Sequence, residues 1–193
     1  MKYKLLVLDV DGTLLNDEKE ITPRTLATLL KVQQMGVHIV LASGRPTYGI
    51  LPLAKKLELG NYGGYILSYN GAQVINAKNG EVLLERRINP EMLPYLEKKA
   101  RKNGFAIFTY TEDRMIADQA DNEHILQEAF LNRMELIEEP EFSVAVDLLL
   151  PNVCWSVMTK RRLSDWKNIG KTFERSATMY PVGTYFLEVR ANV

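Results

Sequence analysis

Apolar positions in this chain fall into short runs separated by polar punctuation. Leu5-Leu6-Val7-Leu8 is an unbroken apolar run closed by Asp9-Val10-Asp11-Gly12. A run of that length, bounded by glycine and polar residues, predicts a buried parallel strand. Helical spacing follows. Thr22 is the candidate N-cap and Pro23 the first helical residue, Leu26, Leu29, Leu30 and Val32 form one apolar face, and Met35-Gly36 supplies the stop. Residues 37–42 are a second apolar run and a second strand. Strand, helix, strand is a βαβ unit with parallel pairing and a right-handed crossover. A second helix is predicted over 51–59 and a short third strand over 65–68. Asn70-Gly71 then marks a tight turn, and 73–75 with 82–84 form a hairpin across Asn79-Gly80.

From Ile88 the pattern changes. Asn89-Pro90 opens a helix with Met92, Leu93, Leu96 and Ala100 on one face, ended by Asn103-Gly104. Strands are predicted over 105–110, 115–117, 134–137, 145–150, 153–158, 178–182 and 185–189, and helices over 123–131 and 163–173. Many of these strands are sequence neighbours, which favours antiparallel pairing and an α+β unit distinct from the opening βαβ region. No internal repeat or low-complexity linker interrupts the chain.

Composition narrows the classes. The 193 residues are 46% hydrophobic and 25% charged, an ordinary globular balance. Lys+Arg and Asp+Glu are both 24, so no general attraction to nucleic acid or to an anionic membrane is expected. No stretch approaches the ~18 apolar residues of a membrane span. Lys2 and Lys4 precede apolar residues, but Asp9 cuts that run too early for a signal peptide. Cys154 is the single cysteine and sits between apolar neighbours, which favours a core thiol and a reducing, cytoplasmic setting. His38 lies in an apolar strand and reads as a core histidine, and His124 as a surface or capping residue. No His/Cys spacing suggests zinc.

The candidate chemistry sits after the first strand. Asp9 and Asp11 project from its carboxyl end, where ligands bind in open α/β sheets. Two carboxylates placed where solvation is poor want a cation, a proton, or both, and a carboxyl held near another anion has a raised pKa that keeps it protonated longer. The competing reading is an Asp-Gly turn that leads into the next helix. Ser43-Gly44-Arg45-Pro46 follows the second strand in the same way. A hydroxyl, a glycine and a guanidinium there suit an anion, although Ser43 could equally cap the helix after it. Asn70 alone is a turn residue.

Together these strings resemble the haloacid dehalogenase superfamily. Asp9-Val10-Asp11-Gly12-Thr13 resembles its first motif, and Ser43-Gly44-Arg45 its second in the form typical of the Cof-type branch, as does Ser68-Tyr69-Asn70-Gly71-Ala72. The resemblance implies an α/β, Rossmann-like core with a parallel sheet, incomplete here, and an inserted α+β cap domain. Core would be 1–82 with 187–193, and cap 83–186, the cap setting substrate choice. It further implies a Mg²⁺-dependent phosphatase working through an aspartyl-phosphate on small phosphorylated metabolites such as sugar phosphates. Asp9 would be nucleophile and Asp11 general acid/base, with Thr13, Ser43, Gly44, Arg45 and Asn70 around nucleophile and phosphate, and Asp9 and Asp11 as metal ligands. A phosphomutase is an alternative. The branch also has a third-motif Lys and a later Gly-Asp-x-x-Asn-Asp segment of metal-binding acids, whereas Gly-Asp does not occur in this sequence. The expectation is a truncated or degenerate relative, inactive or impaired, that self-associates through an exposed core edge.

Overall fold

The computed structural model describes residues 3–146, 152–156, 177–182 and 186–191. The chain divides into two compact units, Met1–Glu85 and Arg86–Val193.

The first unit is an α/β sheet in the order β1-β2-β3-β4-β5. Strands β1 (Leu5–Asp9), β2 (His38–Ala42) and β3 (Tyr65–Ser68) are parallel, with Leu6 opposite Ile39 and Val40 opposite Tyr65. Strands β4 (Gln73–Asn76) and β5 (Val82–Glu85) close the sheet as the expected antiparallel hairpin. Helix α1 (Pro23–Gln34) starts as its sequence predicts: the Thr22 hydroxyl accepts from the Thr25 N–H at 3.2 Å, with proline at the first helical position. Met35 ends it, and Gly36 takes the left-handed φ of +82° that follows. Helix α2 (Thr47–Lys56) begins four residues earlier than the apolar pattern indicated and encloses Pro52. Glu58, at φ 55°, breaks it from the short α3 (Leu59–Tyr62). Leu29, Ile39, Leu41, Ile50, Leu57, Leu59 and Ile66 form the core of this unit.

Strand β1 differs from the buried strand expected. Leu6 and Leu8 pack on the core, but Leu5 and Val7 on the opposite face are 51% and 54% exposed. Among the described residues β1 is an edge strand with β2 alone beside it. An unbroken apolar run hides the two-residue alternation that would have separated its faces.

The second unit holds a six-stranded sheet in the order β10-β11-β9-β6-β7-β8. Its strands are β6 (Ala106–Tyr110), β7 (Arg114–Ala117), β8 (Glu135–Glu138), β9 (Val153–Ser156), β10 (Ala177–Val182) and β11 (Phe186–Ala191). All neighbours are antiparallel except β7 and β8. A 3₁₀ turn capped by Asn89 leads into α4 (Leu93–Lys102), and α5 (Glu123–Asn132) is capped by the Asn122 side chain. Leu93, Leu96, Ala100, Phe105, Ile107, Phe142 and Val189 pack together.

Two boundaries differ from the sequence reading. Residues 83–85 belong to β5 and the first sheet. The strand read as returning to the core, β11, pairs with β9 and β10 instead. Alternating apolar residues fit either sheet, and only the long-range pairing assigns them. The strand predicted over 145–150 is preceded by a helical turn, α6 (Phe142–Ala145), and its residues from 147 lie outside the described residues. So does the helix predicted over 163–173. Cys154 is buried as expected. The histidines exchange roles: His38 is exposed, its Nδ1 3.0 Å from the Tyr62 carbonyl, while His124 is buried behind the Asn122 cap. Among the described residues, no helix is long and apolar enough to cross a membrane.

Candidate phosphoryl-transfer site

Three loops meet at the carboxyl ends of β1, β2 and β3. The first is anchored by Val10, Leu14 and Leu15, all buried, and by N–H groups of Leu14 and Leu15 bonded to the Val10 carbonyl at 3.1 and 3.0 Å. Val10 points into the core, so alternation turns Asp9 and Asp11 outward. Gly12 has φ +78°, a conformation costly for a residue with a Cβ, and lets the chain turn back over itself. The Thr13 hydroxyl donates to Asp9 Oδ2 at 3.2 Å.

Asp11 is clamped by two cations. Arg45 Nε and Nη2 donate to its Oδ2 and Oδ1, each at 2.7 Å, and Lys19 Nζ donates to Oδ1 at 3.0 Å. This corrects the expected electrostatics. Asp9 and Asp11 are exposed rather than poorly solvated. What burial Asp11 has acts to raise its pKa, but the hydrogen bonds and charges of Arg45 and Lys19 outweigh it and hold the carboxyl below its ordinary value. The raised pKa expected from a neighbouring anion is therefore not found; the cations come from a loop 34 residues away and a turn 8 residues away.

The second loop is built from the backbone. The Ser43 N–H bonds to the Leu67 carbonyl at 2.9 Å, extending the β2–β3 pairing. Ser43 Oγ accepts from the Arg45 N–H at 3.2 Å, a local turn rather than a helix cap; the N-cap of α2 is Pro46, which makes no side-chain cap bond. The third loop docks on the second. Asn70 N–H bonds to the Ser43 carbonyl at 2.9 Å and Tyr69 N–H to the Arg45 carbonyl at 3.0 Å. Asn70 holds φ 53°, which asparagine tolerates better than most residues. Gly44 lies under it: a Cβ there would stand 3.0 Å from Asn70 Nδ2. Behind these loops, Thr47 Oγ1 contacts Ser68 Oγ at 2.6 Å and Gln73 Oε1 at 2.5 Å, and Gln73 donates to Glu85 at 2.9 Å.

The structure thus joins Asp9 with Thr13, Asp11 with Arg45, Ser43 and Gly44 with Asn70, and Arg45 with Tyr69. Lys19 was missed from sequence, where Asp17-Glu18-Lys19-Glu20 reads as a solvated charge run. As to metal, Asp9 offers an exposed carboxylate of the hard-oxygen type that suits Mg²⁺. Both Asp11 oxygens are engaged by cations, and among the described residues no group of three or more His, Cys, Asp or Glu is placed to hold an ion. The fit is that of part of a site, with Asp9 as its protein ligand.

The sequence model of the haloacid dehalogenase-like hydrolases matches residues 6–192. The chain belongs to this family. Its resemblance is to the Cof-type branch, and the α/β core is the family's fold. A haloacid dehalogenase-like hydrolase from Bacteroides thetaiotaomicron is 37% identical with a TM-score of 0.91, over 99% of this chain and 72% of that one. YxeH of Bacillus subtilis is 28% identical over 97% of this chain and 70% of its own length. A Streptococcus pyogenes relative is 33% identical over 58% of this chain and 42% of its own length. Both of these carry provisional phosphatase names. The match therefore spans 42% to 70% of these two curated relatives.

Proposed function

We propose that this chain carries the nucleophile-bearing part of a phosphomonoester hydrolase that acts on small phosphorylated metabolites, sugar phosphates among them, through an aspartyl-phosphate. One observation carries the reading: an exposed carboxylate oriented by the Thr13 hydroxyl stands two residues from a second carboxylate paired with Arg45 and Lys19. Anionic nucleophile, proton carrier and cations for phosphoryl oxygens are thus gathered at the ends of parallel strands.

In the proposed reaction an Asp9 oxygen attacks phosphorus as the bond from phosphorus to the leaving alkoxide breaks. Asp11, ionised while paired with Arg45 and Lys19, takes up a proton from solvent as substrate binds and gives it to that oxygen. Water then attacks the same phosphorus, Asp11 takes a proton from it, and Asp9 leaves with inorganic phosphate released. Thr13 holds Asp9 in line. Ser43 and Arg45 face the phosphoryl oxygens, and Asn70 braces Ser43. Mg²⁺, bound through Asp9, would supply neutralisation of the charge shared by nucleophile and phosphate. The second unit sets selectivity among phosphate esters, and the single buried cysteine accords with a cytoplasmic setting.

A phosphate-ester panel with Mg²⁺, run beside Asp9→Asn, tests this. Wild type should form a hydroxylamine-sensitive phosphoenzyme, and the variant should lose it together with about 10³-fold or more in turnover. Near-normal turnover in Asp9→Asn refutes the assignment. A second reading, a non-catalytic relative that keeps a phosphate pocket, draws support from the full engagement of Asp11 and the partial metal site. Phosphate binding without a phosphoenzyme would mark it.

A further inference from the structure

We propose that Asp11 occupies, in the resting site, the place of the substrate's phosphoryl group, and that Lys19 is a substrate-binding cation which an arriving phosphate takes from it together with Arg45. The inference rests on the phosphoryl-transfer reading above and deepens it.

The turn that carries Lys19 is built to present it. Lys19 is a non-glycine residue at φ 61°, a strained left-handed conformation that persists only where surroundings enforce it. Asn16 enforces it. The Lys19 N–H bonds to the Asn16 carbonyl at 3.0 Å, the Asn16 N–H to the Glu20 carbonyl at 3.0 Å, and the Glu20 N–H to Asn16 Oδ1 at 2.8 Å. A lysine serving only solubility needs no such frame. Its long side chain would lose rotamer freedom by ordering, for little gain from one exposed ion pair.

The cradle itself is selective for oxyanions in general. Arg45 is fixed, its side chain 12% exposed, and its fork fits a carboxylate or a phosphate equally. Lys19 and Asp11 are 46% and 40% exposed, so a solute can reach the space between them. Three charge-assisted contacts at 2.7, 2.7 and 3.0 Å hold one carboxylate that bears a single charge. A phosphoryl group offers three strong acceptor oxygens and ~1.5–2 charges. It therefore competes well for the same donors. Exchange also solves a chemical problem: a proton carrier held by both oxygens cannot serve a leaving group, and substrate itself would release it.

A double-mutant cycle on the full chain tests this, with inorganic phosphate as the probe. Isothermal titration in Mg²⁺ buffer compares wild type, Lys19→Met, Asp11→Asn and the double variant, with far-UV circular dichroism confirming the fold of each. Lys19→Met should weaken phosphate about tenfold, and Lys19→Arg should recover most of the loss. Asp11→Asn should tighten phosphate several-fold, and that gain should shrink clearly when Lys19 is already Met. An equal gain in both backgrounds means simple charge repulsion and overturns the inference while leaving the phosphate reading intact. So does a Lys19→Met affinity equal to wild type. A set of folded variants that all fail to bind phosphate removes the proposed function, and the inference with it.

Discussion

Replacing Gly44 with alanine, beside Gly64 with alanine, separates the site from the scaffold. At Gly44 an added Cβ would lie 3.0, 3.1 and 3.3 Å from Asn70 Nδ2, Oδ1 and Cγ. Carbon prefers about 3.5–4.0 Å from such atoms, so the amide must retreat by about 0.5 Å. It is a side-chain end and can turn, although the Asn70 backbone stays tied to Ser43. The cost falls at the low end of overpacking, about 1 kcal/mol. At Gly64 the Cβ would lie 2.6 Å from the Ile39 carbonyl and 3.1 Å from Leu59 Cβ and Cδ2. Ile39 lies within β2 and Leu59 is in the core, so relief requires backbone movement, about 3 kcal/mol or more. In a unit of 60–100 residues each kcal/mol shifts Tm by about 4–8 °C. Differential scanning calorimetry should therefore place the first-unit transition of Gly64→Ala well below that of Gly44→Ala. Phosphate titration should show the opposite emphasis, with Gly44→Ala weakened because the new methyl and the displaced Asn70 amide crowd the loop between Ser43 and Arg45. Equal losses of Tm, or a Gly44→Ala protein with wild-type phosphate affinity, would refute the reasoning.

Glu97 in the second unit provides a pH test. Burial acts to raise its pKa, but hydrogen bonds from Ser143 and the Arg101 guanidinium prevail and hold it below the ordinary value. Its contribution to stability is thus complete above the ordinary glutamate pKa and is lost as pH falls through the lowered one; thermal melts from pH 6 to 3 should show that decline, and a Glu97→Gln chain that declines just as steeply would sink it. Leu5 and Val7 on the open face of edge strand β1 should drive copies of the chain together at high concentration. Sedimentation should show a concentration-dependent dimer that Leu5→Lys with Val7→Lys abolishes, and a wild-type chain that stays monomeric would contradict this.

The sequence by itself determined what is local. The apolar run before Asp9, the Thr22-Pro23 start and Gly36 stop of α1, and the run that became β2 specify their elements through neighbours a few residues away, and the structure has them in place. The strings that resemble the family's motifs were legible for the same reason, since each is a contiguous string at a strand's end. Tertiary structure decided whatever depends on distant partners. Asp11 looked like a carboxyl raised by its neighbour Asp9, yet it is held low by Arg45 and Lys19, brought to it by β2 and by a turn locked through Asn16. His38 and His124 sit on patterns that suggest the reverse of their burial, because exposure depends on what covers a face and not on the residues beside it. Strand β11 alternates in a way that suits either sheet, and its hydrogen bonds to β9 and β10 alone place it in the second. Periodicity records which residues share a face; charge balance, burial and sheet membership are set by atoms that meet only when the chain has folded.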